Sequence, residues 1–205
     1  MQLDIPARRL VLVRHGHYER EGDLGDSVWG LSALGRRQAA RCGRRLVRQI
    51  PNYHGKFEGI YSSPWPRALQ TAEIIAHELE IDKVRVKPYL HEVPPIVPAD
   101  ENGVSIHPGM GVTPPEDRKA AVSQLERVLA RFLKSSRGDT TYLVVCHGNL
   151  IRYLVAHTLG LPLESWMRMD ICHASITEIR VFPNNICALV SYNDTGHQPP
   201  QLVSS

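Results

Sequence analysis

Leu10-Val11-Leu12-Val13-Arg14-His15-Gly16 is the stretch that decides the fold. Four consecutive apolar residues, two of them valine, fit a strand covered on both faces of a parallel sheet. That strand hands the chain to an arginine, a histidine and a glycine. The same shape returns at Tyr142 to Cys146, which empties into His147-Gly148-Asn149, and more weakly at Gly59-Ile60-Tyr61-Ser62. Helical spacing fills the intervals. Ser32 can cap a helix running to about Gln49, with Ala39, Cys42, Leu46 and Ile50 on one side. Pro66 suits the first turn of a second helix with the stripe Ala68, Ala72, Ile75 and Leu79. Glu116 to Lys134 carries Val122, Leu125, Leu129 and Phe132, and the helix after His147 carries Leu150, Leu154 and His157.

Val84 to Lys87 reads as a short third strand, and Ile176–Val181 with Ile186–Tyr192 around Pro183-Asn184-Asn185 as an antiparallel edge hairpin. The stretch from Pro88 to Pro115 lacks periodicity and is rich in Pro and Gly. A loop of that length inside a compact domain shapes a site or moves. Strands alternating with helices predict an α/β layered sheet, because parallel neighbours need helical crossovers. Ligands in such sheets bind beyond the carboxyl ends of the strands, so the residues following Val13, Ile60 and Val145 matter most.

Composition narrows the function. The chain has 205 residues, of which 42% are hydrophobic and 22% charged, enough for one domain with a sizeable core spanning residues 1–205. Lys plus Arg exceed Asp plus Glu by 24 to 21, a surplus of +3 that implies neither nucleic acid nor a membrane surface as partner. No run of about 20 apolar residues is present, so no helical membrane span is expected, and Met1 to Leu10 lacks the core of a secretory signal. Cys42, Cys146, Cys172 and Cys187 form no C-x-x-C pair and suit a reducing compartment. The Asn193-Asp194-Thr195 sequon then carries no meaning.

The three strand ends would bring together Arg14, His15, Arg67 and His147. Arginine offers a fixed fork of donors matched to phosphate oxygens at every working pH. A neutral imidazole can attack phosphorus, and a second, protonated one can donate to the phosphoryl oxygens. Gly16 beside His15 is expected to let a ligand approach the backbone.

These stretches resemble the histidine phosphatase, or phosphoglycerate mutase-like, superfamily. Arg14-His15-Gly16, Ser62-Ser63-Pro64 with Arg67-Ala68 and Thr71-Ala72, Leu90-His91-Glu92, and Val145-Cys146-His147-Gly148 match in order and spacing. The resemblance spans about Leu10 to Tyr192 and implies a three-layer α/β/α fold with a mostly parallel central sheet. It implies that His15 is the phosphorylated nucleophile, that Arg14, Arg67, His147 and Gly148 bind phosphate, and that Glu92 is the proton donor. Asp26 and Glu19 are the reserve candidates for that last role. The activity implied is a phosphomonoesterase that works through phosphohistidine with no metal and no cofactor. A carboxyl acid is needed because an alkoxide leaves poorly without a proton.

Within the superfamily, Asn149 with Ile151-Arg152-Tyr153, Trp166 with Arg168, Ala174-Ser175-Ile176-Thr177, and Asp194-Thr195-Gly196 with Pro199-Pro200 are similar to a mitochondrial serine/threonine protein phosphatase branch. The implied substrate is a phosphorylated protein. The alternatives are a small phosphomonoester, in a small-molecule phosphatase or a mutase, and a non-catalytic module that binds phosphoproteins. The short Pro-rich tail favours hydrolysis over mutase chemistry, which must exclude water. The membrane anchor and assembly segment of that branch are not expected in this chain, which leaves an intracellular location, cytoplasmic or mitochondrial, and homodimerisation as an option.

Other features carry less. Arg37, Arg41, Arg44 and Arg48 form a basic stripe whose ordinary reading is a solvated helix face. Cys146-His147 and Cys172-His173 lack zinc-ligand spacing. Gly109-Met110-Gly111 has neither the third glycine nor the strand of a nucleotide-binding loop. Trp65 and Trp166 suit a cleft wall or the core about equally.

Overall fold

The computed structural model describes residues 6–20, 25–50 and 55–205, so the first residues of the Met1 to Leu10 segment lie outside it. Six strands, β1 (Arg8–Arg14), β2 (Lys56–Ser62), β3 (Val84–Val86), β4 (Thr140–Cys146), β5 (Ile176–Val181) and β6 (Cys187–Asp194), form one sheet in the order β3-β2-β4-β1-β5-β6. The pairs β1–β4, β2–β4 and β2–β3 are parallel, while β1–β5 and β5–β6 are antiparallel. The sheet is thus mostly parallel, with the expected hairpin at its edge. That hairpin turns through Asn184 and Asn185 at φ 63° and 59°. Asparagine tolerates this left-handed backbone because its short polar side chain bonds locally.

Four helices, α1 (Ala33–Gln49), α2 (Pro66–Glu78), α3 (Pro115–Phe132) and α4 (Gly148–Thr158), cover the two faces. Side chains alternate across a strand, so Val11, Val13, Leu143 and Val145 pack with Cys42 and Leu46 of α1 and Ala72 and Ile75 of α2. Leu10, Leu12, Tyr142 and Val144 pack on the opposite side with Leu125 and Val128 of α3 and Leu150 and Leu154 of α4. Both faces of β1 are therefore dry, which is why its sequence runs continuously apolar. Full burial of each such Leu or Val stabilises the fold by about 1.5–3 kcal/mol.

Ser32 caps α1 as expected, its Oγ accepting from the Gly35 amide at 3.1 Å. The buried stripe of α3 is rotated from the expected one. Ala121, Gln124, Leu125, Val128 and Phe132 are buried, whereas Val122 and Leu129 are only half-buried. Gln124 turns inward because its amide donates to the carbonyls of Tyr89 and His91 at 3.1 and 2.8 Å. His157 is exposed at the end of α4, not part of its core face. The basic stripe on α1 is a solvent-facing one.

The stretch between Pro88 and Pro115 is tied down. Val93, Ile96 and Val97 are buried, the Ile96 amide donates to the Tyr153 hydroxyl at 2.7 Å, and Trp166 Nε1 donates to the Ile96 carbonyl at 2.9 Å. Its Glu92, Pro94, Pro95 and Met110 line the cleft that holds Arg14 and His15, so it shapes the site.

Candidate active site

Parallel pairing sets the carboxyl ends of β2, β4 and β1 side by side. Just past them the His15 amide donates to the Cys146 carbonyl and the Ser63 amide to the Val145 carbonyl, each at 3.0 Å. The three segments singled out in the sequence therefore leave the sheet together.

His15 is buried, with Nδ1 at 2.8 Å from the Gly16 carbonyl and Nε2 at 3.1 Å from Arg67 Nε. A carbonyl only accepts and a guanidinium only donates. The ring satisfies both as the neutral Nδ1–H tautomer, with its lone pair on Nε2. Burial, then the neighbouring His147, Arg14 and Arg67, hold its pKa well below the ordinary value, so it stays neutral.

Arg14 donates to the Ile171 carbonyl and to His173 Nε2, the latter at 3.1 Å. Arg67 leaves the first turn of α2 and lies over the Tyr18 and Trp65 rings at 4.4 and 4.7 Å. It also donates to the Asp26 carbonyl and stands 3.6 Å from the Asp26 carboxylate. His147 has its ring centroid 5.1 Å from that of His15, and its Nε2 lies 2.7 Å from Ser63 Oγ. Burial first, then Arg67, His91 and Arg14, keep this ring neutral. The expectation of a protonated second histidine is corrected: three cationic or basic neighbours and burial away from solvent oppose a second charge.

Glu92 reaches the start of α4 from the long loop. Its carboxylate accepts from the amides of Val93 at 3.1 Å, Leu150 at 3.2 Å and Asn149 at 3.4 Å. Burial nonetheless pushes its pKa up to about 7, against the pull of those amides and of Arg14.

Arg14, His15, Arg67, Glu92 and Gly148 line one cleft of about 490 Å³. His147 lies fully buried beneath its lining. A Cβ on Gly148 would press on the side chains of Ile171 and Arg14 at 3.3 and 3.4 Å, so a larger residue there would shift the Arg14 guanidinium. The expectation for Gly16 needs correcting. Its bare Cα admits the α1 backbone, not a ligand: a Cβ would stand 2.6 Å from the Gly35 carbonyl oxygen. Of the reserve acids, Asp26 lines the cleft but is paired with Arg20 and Arg67, and exposed Glu19 does not line it.

Trp65 and Trp166 are both wall residues. Sequence reasoning missed Tyr18, Arg152, His173 and the role of Thr71, whose Oγ accepts from the Gly16 amide at 3.0 Å and donates to the Arg67 carbonyl at 2.7 Å. Thr71 and Arg152 carried a signal as parts of matched stretches, and His173 stood out only beside Cys172 as a pair without zinc-ligand spacing. Among the described residues no group of three or more His, Cys, Asp or Glu is arranged to hold a metal ion. No helix among them is long and apolar enough to cross a membrane.

Comparison with known proteins adds the family. The model of the histidine phosphatase superfamily, branch 1, matches residues 10–94 and 103–195. The chain belongs to this superfamily. It is 35% identical over 207 residues to the mitochondrial serine/threonine-protein phosphatase Pgam5 of Drosophila mojavensis, an alignment covering 97% of the chain and 67% of that relative. The Pgam5 phosphatase of Caenorhabditis elegans is 34% identical, with 96% and 66% covered. The chain thus spans about two thirds of the length of these relatives. In fold it is similar to a mycobacterial glucosyl-3-phosphoglycerate phosphatase, with TM-score 0.66, 24% identity and 92% of this chain and 100% of that one covered. The phosphoglycerate mutase of Plasmodium falciparum gives 0.62 and 24%, with 95% of each chain covered. The histidine phosphatase described here is an enzyme that acts on phosphorylated substrates, built on the phosphoglycerate mutase-like fold.

Proposed function

We propose that this chain is a single catalytic domain that hydrolyses phosphomonoesters through a phosphohistidine on His15, without a metal, and that its substrates are phosphoserine and phosphothreonine in proteins. The observation that carries the mechanism is the tautomer. The Gly16 carbonyl keeps the proton on Nδ1 and turns the lone pair of Nε2 toward Arg67, one of four guanidiniums, with Arg14, Arg20 and Arg152, that line the cleft. A nucleophile beside fixed cations is what phosphoryl transfer needs, because the catalytic work is mainly positioning and charge stabilisation.

An entering phosphate dianion takes Arg14 and Arg67 as its counter-charges, its oxygens accepting from the guanidiniums while its phosphorus replaces Arg67 Nε in front of the His15 lone pair. The Ser63 hydroxyl already accepts from the Trp65 amide at 3.2 Å, which leaves its own proton to donate to His147 Nε2. His147 then carries its hydrogen on Nδ1, a buried atom with no partner among the described residues. That N–H, with the Gly148 amide at the start of α4, supplies uncharged donors to the phosphoryl oxygens.

His15 Nε2 bonds to phosphorus as the ester P–O bond breaks, and Glu92, in the fraction of molecules, about half at neutral pH, that holds it protonated, gives its proton to the departing alkoxide. The resulting carboxylate removes a proton from water. The hydroxide displaces His15 from phosphorus, and inorganic phosphate leaves with Glu92 protonated again.

The likeness to the Pgam5 phosphatases supports the protein substrate, and their mitochondrial naming supports the same compartment here. Rapid quenching with radiolabelled phosphoprotein tests the mechanism. An acid-labile, base-stable label on His15 that is absent from His15→Ala, with turnover unaffected by chelators, supports it. Chelator-sensitive turnover overturns it. A preference for phosphoglycerate over phosphoserine peptides at equal concentration overturns the substrate.

A further inference from the structure

We propose that His173 is a positioning residue for Arg14, and that the carboxyl-terminal segment from Gln198 to Ser204 acts on the phosphate site through it. The inference rests on the reading of Arg14 as a phosphate ligand and adds a device that sets its pose.

Arg14 emerges from the end of β1 and has two anchors. One Nη donates to the Ile171 carbonyl, and the other lies 3.1 Å from His173 Nε2. A guanidinium has no lone pair to offer, so His173 must present one on Nε2 and carry its hydrogen on Nδ1. The far side of the ring meets that requirement. Nδ1 is 3.0 Å from Ser204 Oγ, which also accepts from Gln38 Nε2 at 3.0 Å. The opposite tautomer and the imidazolium would each set an N–H against the guanidinium. Burial first, then Arg14 and His17, lower the His173 pKa to about 3.

The segment holds the ring by its backbone as well. The His173 amide donates to the Ser204 carbonyl at 2.7 Å, and Gln198 Nε2 donates to the His173 carbonyl at 2.9 Å. Gln38 of α1 closes the clamp by donating to the Leu202 carbonyl at 2.7 Å. His173 does not line the cleft, and both its ring nitrogens are taken, by Arg14 and Ser204, whereas His147 keeps an Nδ1 unpartnered among the described residues; its route to the substrate therefore runs through the guanidinium it holds. Loss of the Nε2 acceptor removes one of two anchors and lets the charged fork rotate out of line with the phosphoryl oxygens. Second-sphere partners of a charged ligand work in this way.

The test is product inhibition by inorganic phosphate, with kcat, KM and thermal unfolding, in the full chain and its variants. His173→Ala is expected to weaken inhibition about three- to tenfold. In an Arg14→Gln background the same change should add nothing, because the coupling runs through the missing guanidinium. His173→Gln should recover most of the loss, since an amide oxygen can accept from Arg14 while its N–H₂ serves Ser204. Ser204→Ala, which keeps the ring and the Ser204 carbonyl that holds the His173 amide, should give a smaller loss of the same kind, about two- to threefold. Equal damage from His173→Ala with and without Arg14, or unchanged inhibition in both His173→Ala and Ser204→Ala, overturns the proposal. Unchanged inhibition in Arg14→Gln alone removes Arg14 from the phosphate pocket, and the inference falls with that reading.

Discussion

Replacing Glu92 by Gln separates the two chemical steps, and the structure fixes how large the effect should be. With its pKa at about 7, against an ordinary 4.5, the carboxyl is about half protonated at neutral pH. An unshifted carboxyl would be protonated in only about 0.3% of molecules, so burial raises the population of the working acid by about 150-fold. Glu92→Gln keeps the volume and loses the proton. Phosphorylation of His15 by a phosphoserine peptide should fall by roughly 100- to 10,000-fold, the usual worth of a positioned general acid. p-Nitrophenyl phosphate, whose leaving group is stable without a proton at neutral pH, should lose far less in that first step. The pH profile has a definite sign: phosphorylation by the peptide needs the acid form and falls about tenfold per unit above the pKa of Glu92, whereas dephosphorylation needs the carboxylate and falls below it. His15 adds no limb near neutrality because its pKa is held well below 6.5. Rapid-quench measurement of the two steps between pH 5.5 and pH 8.5 checks this, taking about three units to span both limbs. Equal loss with both substrates, or a flat profile for the peptide, would refute Glu92 as the acid.

Three further expectations concern the frame around His15. Arg67→Ala should weaken phosphate binding by roughly 2–3 kcal/mol, the range for charge-assisted hydrogen bonds, and an unchanged inhibition constant for phosphate would remove Arg67 from the pocket. Asp26→Asn should tighten inhibition by phosphate about two- to fivefold at low salt, because its carboxylate stands 3.6 Å from Arg67 and 3.1 Å from Arg20, where it opposes an incoming dianion; weaker inhibition would make Asp26 a support for the site instead. Gly35→Ala should cost roughly 1–3 kcal/mol or more in urea unfolding, since its Cβ would fall 2.0 Å from the His17 carbonyl oxygen and backbone on both sides resists the shift; wild-type stability would mean the loop after His15 yields more easily than its packing implies.

The sheet and half of the site are legible in the sequence for one reason: β1 and β4 are dry on both faces, so their apolar runs stand out locally, together with the residues at their carboxyl ends. Arg14, His15, His147 and Gly148 fall at or directly after those runs, and Arg67 sits one turn into a helix marked by Pro66. The α3 stripe is hidden because a glutamine at Gln124 counts as polar in any periodic pattern, although its amide is satisfied by two loop carbonyls. Residues that tune the machinery left no such mark. Glu92 shows itself only through family likeness, and its raised pKa comes from burial, working against amides of α4 more than fifty residues later. His173 meets Arg14 across 159 positions, and Ser204 meets His173 across 31. Contacts of that separation impose no spacing on the chain between them, so they are invisible to periodicity however strong they are.

The division has a chemical sense. Groups that must sit within bonding distance of phosphorus come from strand ends, whose positions the sheet fixes rigidly, while the acid and the candidate modulators arrive on loops and the carboxyl-terminal segment. A change in Glu92, Asp26 or His173 can therefore alter pH response or phosphate affinity without disturbing the nucleophile. That separation predicts a pattern across the variants above: those that hold the phosphoryl group, directly at Arg14 and Arg67 or through them at His173 and Asp26, should shift both steps together, and Glu92→Gln should split them.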